Sequence, residues 1–452
     1  MAQNTQIFKV SPSVVEADKE SEIVIKSFDG PLRFMDDITY EVQFIPMDES
    51  DVERDEELSL QGYNKARKTY TVKPQNGELH LKYTFKGEQE WRIHFRTKEY
   101  KKYQNPLYEK YAGHWGHLIS YPERGISVSV YSLCSDLYER RAMIGDLHVH
   151  TMCSDGSESP ELVAASYRKA GRDFIAITDH NLYNVSAKAK DMLSFAKNFT
   201  LLHGEEVHNG YVGLFHMVNI GGSYSVNDIY INEPERIKRE VSALEKEVEV
   251  PEGLDKIEYL NRVWLYREIK KSGGYAIYPH PYWNIGYYHT STAMSRAILK
   301  NGLCDAFEVM GGNPPKNNNL QLALWTDMLS DGVKLPIVGS TDSHSALFGG
   351  HLTQSTVAFV KDNDIITSIS DGYSVAVESV KNENVRVYGS LRLVMYTHFL
   401  LDNYYPTHNE LCFTSGMLMC DYVHGNTSLR EQIEIAESRV TEYEKEFFGD
   451  RQ

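Results

Sequence analysis

Cysteine is scarce in this chain: five residues in 452, with no Cys-x-x-Cys among Cys134, Cys153, Cys304, Cys412 and Cys420. An odd, scattered set does not build a disulfide framework and fits free thiols in a reducing compartment. Long apolar runs are also missing. The longest, around Leu391 to Leu401, is broken by Arg392, Thr397 and His398 and is too short to cross a bilayer. The opening Met1-Ala-Gln-Asn-Thr-Gln6 has no basic segment followed by an apolar one, so no signal peptide is expected and the reading is a cytoplasmic protein. Positive charge is in deficit, with 47 Lys and Arg against 63 Asp and Glu for a net −16. That balance argues against the broad basic face that long nucleic acid requires. A local cationic site stays open to an acidic protein if metal ions supply the charge. No internal repeat or low-complexity segment is present.

What is present suits a multi-domain globular chain. At 452 residues with 41% apolar and 12% aromatic content, two or three domains are expected. Residues 1–140 read as β-rich. Ile23-Val-Ile-Lys, Ile38 to Ile45, Leu79 to Phe85, Trp91 to Phe95 and Ile126 to Tyr131 alternate or carry β-branched and aromatic residues. Breaks such as Asp29-Gly-Pro31 separate them, which suggests a small antiparallel sandwich. The acidic run Asp48 to Glu57 reads as a solvated loop.

From residue 141 to about 390 strands alternate with helices, the pattern of a mainly parallel α/β fold. Ser159-Pro160-Glu161 is a helix start with Ser as cap and Pro at the first position, and that helix is expected to run to Gly171. A charged helical stretch covers Pro234 to Lys271 and closes at Gly273-Gly274. Residues 391–452 read as a helical extension: an apolar helix, an irregular Tyr/Asn/Pro segment, and a final helix opening on the capping box Ser428-Leu-Arg-Glu431. Its stripe Leu429, Ile433, Ala436, Val440, Tyr443 and Phe447 is expected to pack on the barrel, with a dimer contact as the alternative.

The informative stretch is Gly145-Asp-Leu-His-Val-His-Thr-Met-Cys-Ser-Asp-Gly156. It begins as an apolar strand with His148 and His150 two residues apart, hence on one face and roughly 6.5–7 Å apart. Two imidazoles so placed can grip one cation, and the turn carrying Asp155 can fold back toward them. Other histidines and carboxylates fall at the ends of apolar strands. His180 follows Ile175-Ala-Ile-Thr-Asp; Glu206 follows Leu201-Leu-His-Gly-Glu; His216 lies in the next strand; His280 ends Tyr275-Ala-Ile-Tyr-Pro-His; Asp342 and His344 follow Ile337-Val-Gly-Ser-Thr. Active sites of parallel α/β proteins collect at such strand ends, and carboxylates are rarely buried unless paired or ligated.

These residues resemble the PHP (polymerase and histidinol phosphatase) superfamily over about 142–380. The motifs are Asp146-Leu-His148-Val-His150, Ser154-Asp155-Gly156, Thr178-Asp179-His180, Gly204-Glu-Glu206, Phe215-His216-Met, Pro279-His280-Pro281 and Thr341-Asp342-Ser-His344. The pattern is most similar to the small phosphoesterase branch related to TrpH, and the leading β domain is similar to the branch that includes carbaryl hydrolases. The resemblance implies an α/β fold, a distorted (β/α)7 barrel with three divalent ions. His148, His150, Glu206 and Asp342 would hold the first. Glu206 would bridge to a second held by His216 and His280, and Asp155, His180 and His344 would hold the third. Six imidazoles and three carboxylates suit Zn, Mn or Fe.

Three ions against three carboxylates make the pocket cationic, so a small anionic substrate is expected. The resemblance implies that Asp155, Glu206 and Asp342 would act there through water acidified by the ions. Asp146 and Asp179, one or two residues from ligands, are candidates for orienting imidazoles, with simple strand-end hydrogen bonding as the alternative. Glu205 yields to Glu206 on the family spacing. His203 and His208 read as structural or pocket-lining, and His114 and His117 as features outside the barrel. Tyr282 and Trp283 could stack on a substrate ring or sit in the core. The expected activity is a metal-dependent phosphoesterase acting on a small phosphorylated molecule such as a nucleotide. A metal-dependent ester, carbamate or amide hydrolase and a non-catalytic binding protein are the alternatives.

Overall fold

The computed structural model describes residues 8–27, 34–48, 68–96, 126–208, 215–347, 353–380 and 384–450. The Asp29-Gly-Pro31 break, residues 49–57 of the acidic run, and His114 and His117 lie outside them. The chain divides into two compact units. One holds residues 1–139, 399–404 and 441–452; the other holds 140–398 and 405–440. The C-terminal helices are thus shared between the units.

The first unit is built on two sheets. Strands β1 (Phe8–Ser11), β3 (Glu20–Ser27) and β6 (Leu79–Thr84) make one. Strands β2 (Val14–Glu16), β8 (Ile126–Leu133), β7 (Gln89–Arg96), β4 (Tyr40–Pro46) and β5 (Tyr70–Val72), in that order, make the other. Alternation drives the packing. In β6, Leu79 and Leu81 are buried while His80 and Lys82 face out. The inward residues share one core with Ile23, Ile25, Val42, Phe44 and Ile93.

The second unit holds a ten-stranded mixed sheet in the order β15-β14-β13-β12-β11-β10-β9-β16-β17-β18. Its strands are β9 (Arg141–Val149), β10 (Phe174–Ile177), β11 (Thr200–His208), β12 (His216–Ile220), β13 (Tyr275–Tyr278), β14 (Ala306–Met310), β15 (Ile337–Gly339), β16 (Gln354–Val360), β17 (Ser374–Val380) and β18 (Asn384–Tyr388). The first seven curl into a barrel. The last of them returns to the first through a parallel bridge between Val149 and Ser343. The Thr356 hydroxyl in β16 bonds both the N–H and the carbonyl of Gly339, at 3.1 and 2.9 Å. The strands β10, β13 and β14 are buried at every position, as strands covered on both faces must be.

The helices of this unit include α1 (Pro160–Lys169), α2 (Ser186–Met192), α3 (Val226–Asn232), α4 (Pro234–Leu244) and α5 (Lys256–Lys271). Ser159 caps α1 by accepting from the Leu162 N–H, with Pro160 at the first position. The charged stretch 234–271 is two helices rather than one. Pro251 and the positive φ of Gly253 interrupt it. After helix α6 (Leu391–Asn403), the Tyr/Asn/Pro segment is itself helical, as α7 (Tyr405–Val423). Pro406 stands at its second position, where a missing N–H costs nothing. The expected capping box is not formed: a short 3₁₀ turn covers Thr427–Leu429, the Ser428 hydroxyl bonds Asn426, and α8 begins at Arg430 and runs to Phe448. Ile433, Ala436, Val440 and Phe447 of its stripe are buried.

Candidate metal centre

The barrel brings all nine sequence-derived ligands to one rim. His148 lies in β9 and His150 one residue past its end; His180 follows β10; Glu206 lies in β11; His280 follows β13; Asp342 and His344 follow β15. His216 reaches the same rim by a different route. Strand β12 runs antiparallel to β11, pairing His216 with His208, so its first residue sits where the parallel strands end.

Four donors form a tight group. Nε2 of His148 lies 3.2 Å from Nε2 of His150, 3.1 Å from Oε2 of Glu206 and 3.3 Å from Oδ1 of Asp342. Nε2 of His150 lies 3.2 Å from Glu206 Oε2 and 3.1 Å from Asp342 Oδ1. Donors on a tetrahedron around an ion at ~2.0–2.1 Å stand ~3.3 Å apart. Lone pairs packed this closely repel unless a cation lies among them, a proton or a divalent ion. Burial opposes the protons on His148, but Glu206, Asp342 and Glu308 hold its imidazole well above the usual range. His150 is likewise raised to about 9, against its burial, by Asp342 and Glu206. Glu206 and Asp342 are held below the carboxylate range, against their burial, mainly by His216 and His148 respectively.

A second group surrounds Oε1 of Glu206, with His280 Nε2 at 3.0 Å and His216 Nδ1 at 2.8 Å. The His216 nitrogen is close to that oxygen but off the hydrogen-bonding direction, and it has no other partner. Asp155 marks the open side, half exposed, with His344 Nε2 at 3.2 Å and His180 Nε2 at 3.9 Å. It also stands 3.5 Å from His150 Nδ1. His180 is pushed down to about 4 by burial and by its imidazole neighbours, although Glu206 raises it. Among the described residues these clusters have the donors, the burial and the spacing to hold divalent ions.

The two aspartates act on backbone and hydroxyls rather than on imidazoles. Asp146, fully buried, accepts from the His148 N–H at 3.1 Å, from the N–H and hydroxyl of Thr341, and from Tyr167. It therefore ties β9 to the Thr341-Asp342 segment, and burial raises it to about 6. Asp179 accepts from the N–H and hydroxyl of Thr151, at 2.8 and 2.7 Å, and from Ser154, fixing the loop that carries Asp155. The carboxylate that orients a ligand is Glu308, in β14: its Oε2 lies 2.9 Å from His148 Nδ1. With the proton on Nδ1, Nε2 turns its lone pair to the centre. A lone acid inside the apolar run Ala306-Phe-Glu-Val-Met310 was the available signal for it.

Glu205 has a separate task. Its carboxylate accepts from Asn219, Ser225 and the Val226 and Asn227 N–H groups at the start of α3. His203 bonds the Gly222 carbonyl and meets Tyr183. His208 reaches the centre, with Nδ1 2.9 Å from Nε2 of His216. His289, which the sequence reading passed over, is buried beside His216 and His280 and is pushed down to about 2 by burial and those two rings. Tyr282 is a core residue, bonded to Thr292. Trp283 is partly exposed and lies nearly parallel to the His216 ring.

No family model matches the chain. Over 118 residues it is 32% identical to the DNA polymerase/3'-5' exonuclease PolX of Bacillus subtilis. The match takes in 23% of this chain and about a fifth (21%) of that relative's length. A solved two-domain protein from Bacteroides vulgatus, described as containing a predicted PHP-like metal-dependent phosphoesterase, is 18% identical. It matches 53% of this chain and 65% of its own, at a TM-score of 0.35. An amidohydrolase from Chromobacterium violaceum with bound sulfate and no metal is 19% identical, over 44% of this chain and 87% of its own, at a TM-score of 0.30. The seven-strand closure and the order of its motifs give the second unit a PHP-like fold.

Proposed function

We propose that this chain is a divalent-metal-dependent phosphoesterase of the PHP superfamily, acting on a small phosphorylated molecule such as a nucleotide. The observation that carries the reading is that Nε2 of His148 and Nε2 of His150 lie 3.2 Å apart and each 3.1–3.3 Å from oxygens of both Glu206 and Asp342. Three ions are proposed. His148, His150, Glu206 and Asp342 hold one; Glu206, His216 and His280 hold the second; Asp155, His180 and His344 hold the third. Zn, Mn or Fe suits this nitrogen-rich set. Bound there, the ions supply positive charge for phosphate oxygens and acidify water for attack on phosphorus.

The chain's own residues do the remaining work. Glu308 holds the His148 proton on Nδ1. Asp146 locks the His148 backbone to Thr341, so that the two ends of the first ligand set move as one body. Asp179 fixes the Asp155 loop at the open side. With ions bound, the imidazoles would be neutral and only three of the nine proposed ligands would carry charge.

A specific observation favours a second reading, hydrolysis of an ester, carbamate or amide at the same centre. Among the described residues, every ion pair of Asp155, Glu206 and Asp342 is with an imidazole, and no Lys or Arg takes part. Exposed apolar side chains also follow the ligands closely: Met152 after His150, Leu182 after His180, Trp283 after His280, Leu347 after His344. Metal-dependent phosphate release across nucleotides, bisphosphonucleosides and sugar phosphates separates the two, with Asp342→Asn as control. Release that vanishes in the variant establishes phosphoester chemistry. A metal-loaded protein inert to the phosphate panel and active on aryl esters or carbamates would replace it.

A further inference from the structure

We propose that His289 is a ligand of the second ion, joining His216 and His280 in a set of three imidazoles. The inference rests on the metal reading of the previous section and goes beyond its nine ligands.

The chain folds back to place this residue. The His289 N–H donates to the Trp283 carbonyl at 2.8 Å, and the Thr290 N–H to the Pro281 carbonyl at 2.9 Å. Between them, Asn284 and Tyr288 pair as an antiparallel bridge. Residue 289 is thereby brought back beside residue 280, nine positions earlier. Its ring centroid lies 4.6 Å from that of His216 and 5.6 Å from that of His280. Trp283 packs edge-on to it at 5.5 Å, covering the group.

Hydrogen bonding then points to a ligand. Nδ1 of His216 and Nε2 of His289 are buried without a hydrogen-bond partner, and His280 turns Nε2 toward Glu206 Oε1 at 3.0 Å. A buried polar nitrogen left unpaired costs about 1–3 kcal/mol, so two in one cluster call for an occupant. One nitrogen from each of the three rings lies within 4.8 Å of the others. A divalent cation between the rings satisfies these nitrogens, with Oε1 of Glu206, 2.8 Å from His216 Nδ1, supplying negative charge beside it.

The chemistry of this set has two consequences. Imidazole-rich donors select Zn, Co or Ni over Mg or Ca. A third imidazole beside His216 and His280 makes the ion slower to leave than two would.

Metal content during stepwise chelator titration of the full-length protein tests this directly. The wild type is expected to release zinc in resolved steps, one equivalent of which belongs to this cluster. His289→Ala should release that equivalent at a chelator concentration at least about tenfold lower, with His203→Ala following the wild type. A His289→Ala curve that overlays the wild type overturns the proposal. Should that variant not fold, cobalt-loaded His289→Cys gives an independent reading. A thiolate-to-cobalt charge-transfer band places residue 289 on the ion, and bound cobalt without the band removes it. A wild type that takes up no divalent ion at all sinks the metal reading itself, a result distinct from a tightly metallated wild type whose titration ignores residue 289.

Discussion

Replacing Glu308 tests how the first ion's site is organised, because this carboxylate touches no candidate ion position directly. Its Oε2 accepts from His148 Nδ1 at 2.9 Å, and both side chains are buried. Without it, the His148 proton is free to settle on Nε2, which would aim a donor rather than a lone pair at the centre. Partners of this kind are worth roughly 10–100-fold in metal affinity, or about 1.4–2.7 kcal/mol. Glu308→Gln keeps the volume and an amide oxygen that can still accept from Nδ1–H, so it belongs near the tenfold end. Glu308→Ala removes the acceptor and leaves a cavity, so it belongs near the hundredfold end. Chelator competition with Mn or Zn, followed by metal analysis, reads both variants against the wild type. The graded order Ala weaker than Gln weaker than wild type is expected. Equal affinities in all three would show that His148 keeps its tautomer without Glu308, and the reasoning from the 2.9 Å contact would be wrong.

Glu205→Ala and Glu206→Ala should separate cleanly despite being neighbours. The first strips acceptors from donors at the start of α3 and is expected to cost roughly 1–3 kcal/mol of stability with metal content unchanged; the second should lose metal. Thermal melts and metal analysis decide, and metal loss in Glu205→Ala would reverse the assignment. Gly312→Ala would place a Cβ 1.8 Å from the Thr341 carbonyl oxygen, so it should displace the Thr341-Asp342 segment and lower metal affinity; wild-type affinity would show that the close approach is unimportant. His408, buried, has its proton disfavoured by burial but held by Asp173 at 2.9 Å, which raises it from 6.5 to about 10. A raised imidazole contributes stability that is complete below its unfolded value and lost as pH rises through its folded one. Unfolding free energy should therefore fall between about pH 6.5 and 10, by a few kcal/mol at most, and His408→Gln should flatten that slope; an identical slope in the variant would assign it elsewhere.

Most of the strand-end candidates were legible because a chelating side chain closes one apolar strand after another between residues 146 and 344; their grouping into three sites came from the family resemblance alone. The second route to the rim was not legible. His216 reads as a mid-strand histidine, and only the antiparallel pairing of β12 with β11 carries it to the ligand end. The same limit hid Glu308 and His289. One lies inside an apolar strand paired with β13 and β15 and meets His148 of β9 only through its side chain, and the other closes a loop whose fold depends on main-chain bonds to residues 281 and 283. Local pattern also misjudged the C-terminal region. Asn403, Tyr404 and Pro406 look like breakers, yet a proline in a first helical turn is compatible with α7. Behind that helix lies a buried network that no periodicity announces, with Arg168 bonded to Asp173 and Glu437, and His408 to Asp173.

Backbone strain at the centre carries the last step. His280 and Asp342 have φ of +25° and +49°, in a region that side-chain-bearing residues avoid. Each such residue costs on the order of 1–3 kcal/mol and persists only where its surroundings over-determine it. The surroundings here are identifiable. Asp146 fixes Thr341 beside Asp342, Gly312 lets the Thr341 carbonyl approach where no Cβ could fit, and the Trp283 N–H bonds the His280 carbonyl at 3.0 Å. Strain at two ligands, paired with supports that have no ligand role of their own, is the mark of donors held in place before any ion arrives. A site that had lost its use would be expected to relax one of these residues into ordinary backbone, since either relaxation would stabilise the fold. That both remain strained, with the donor set complete around them, is a physical argument for a centre pre-organised to hold ions.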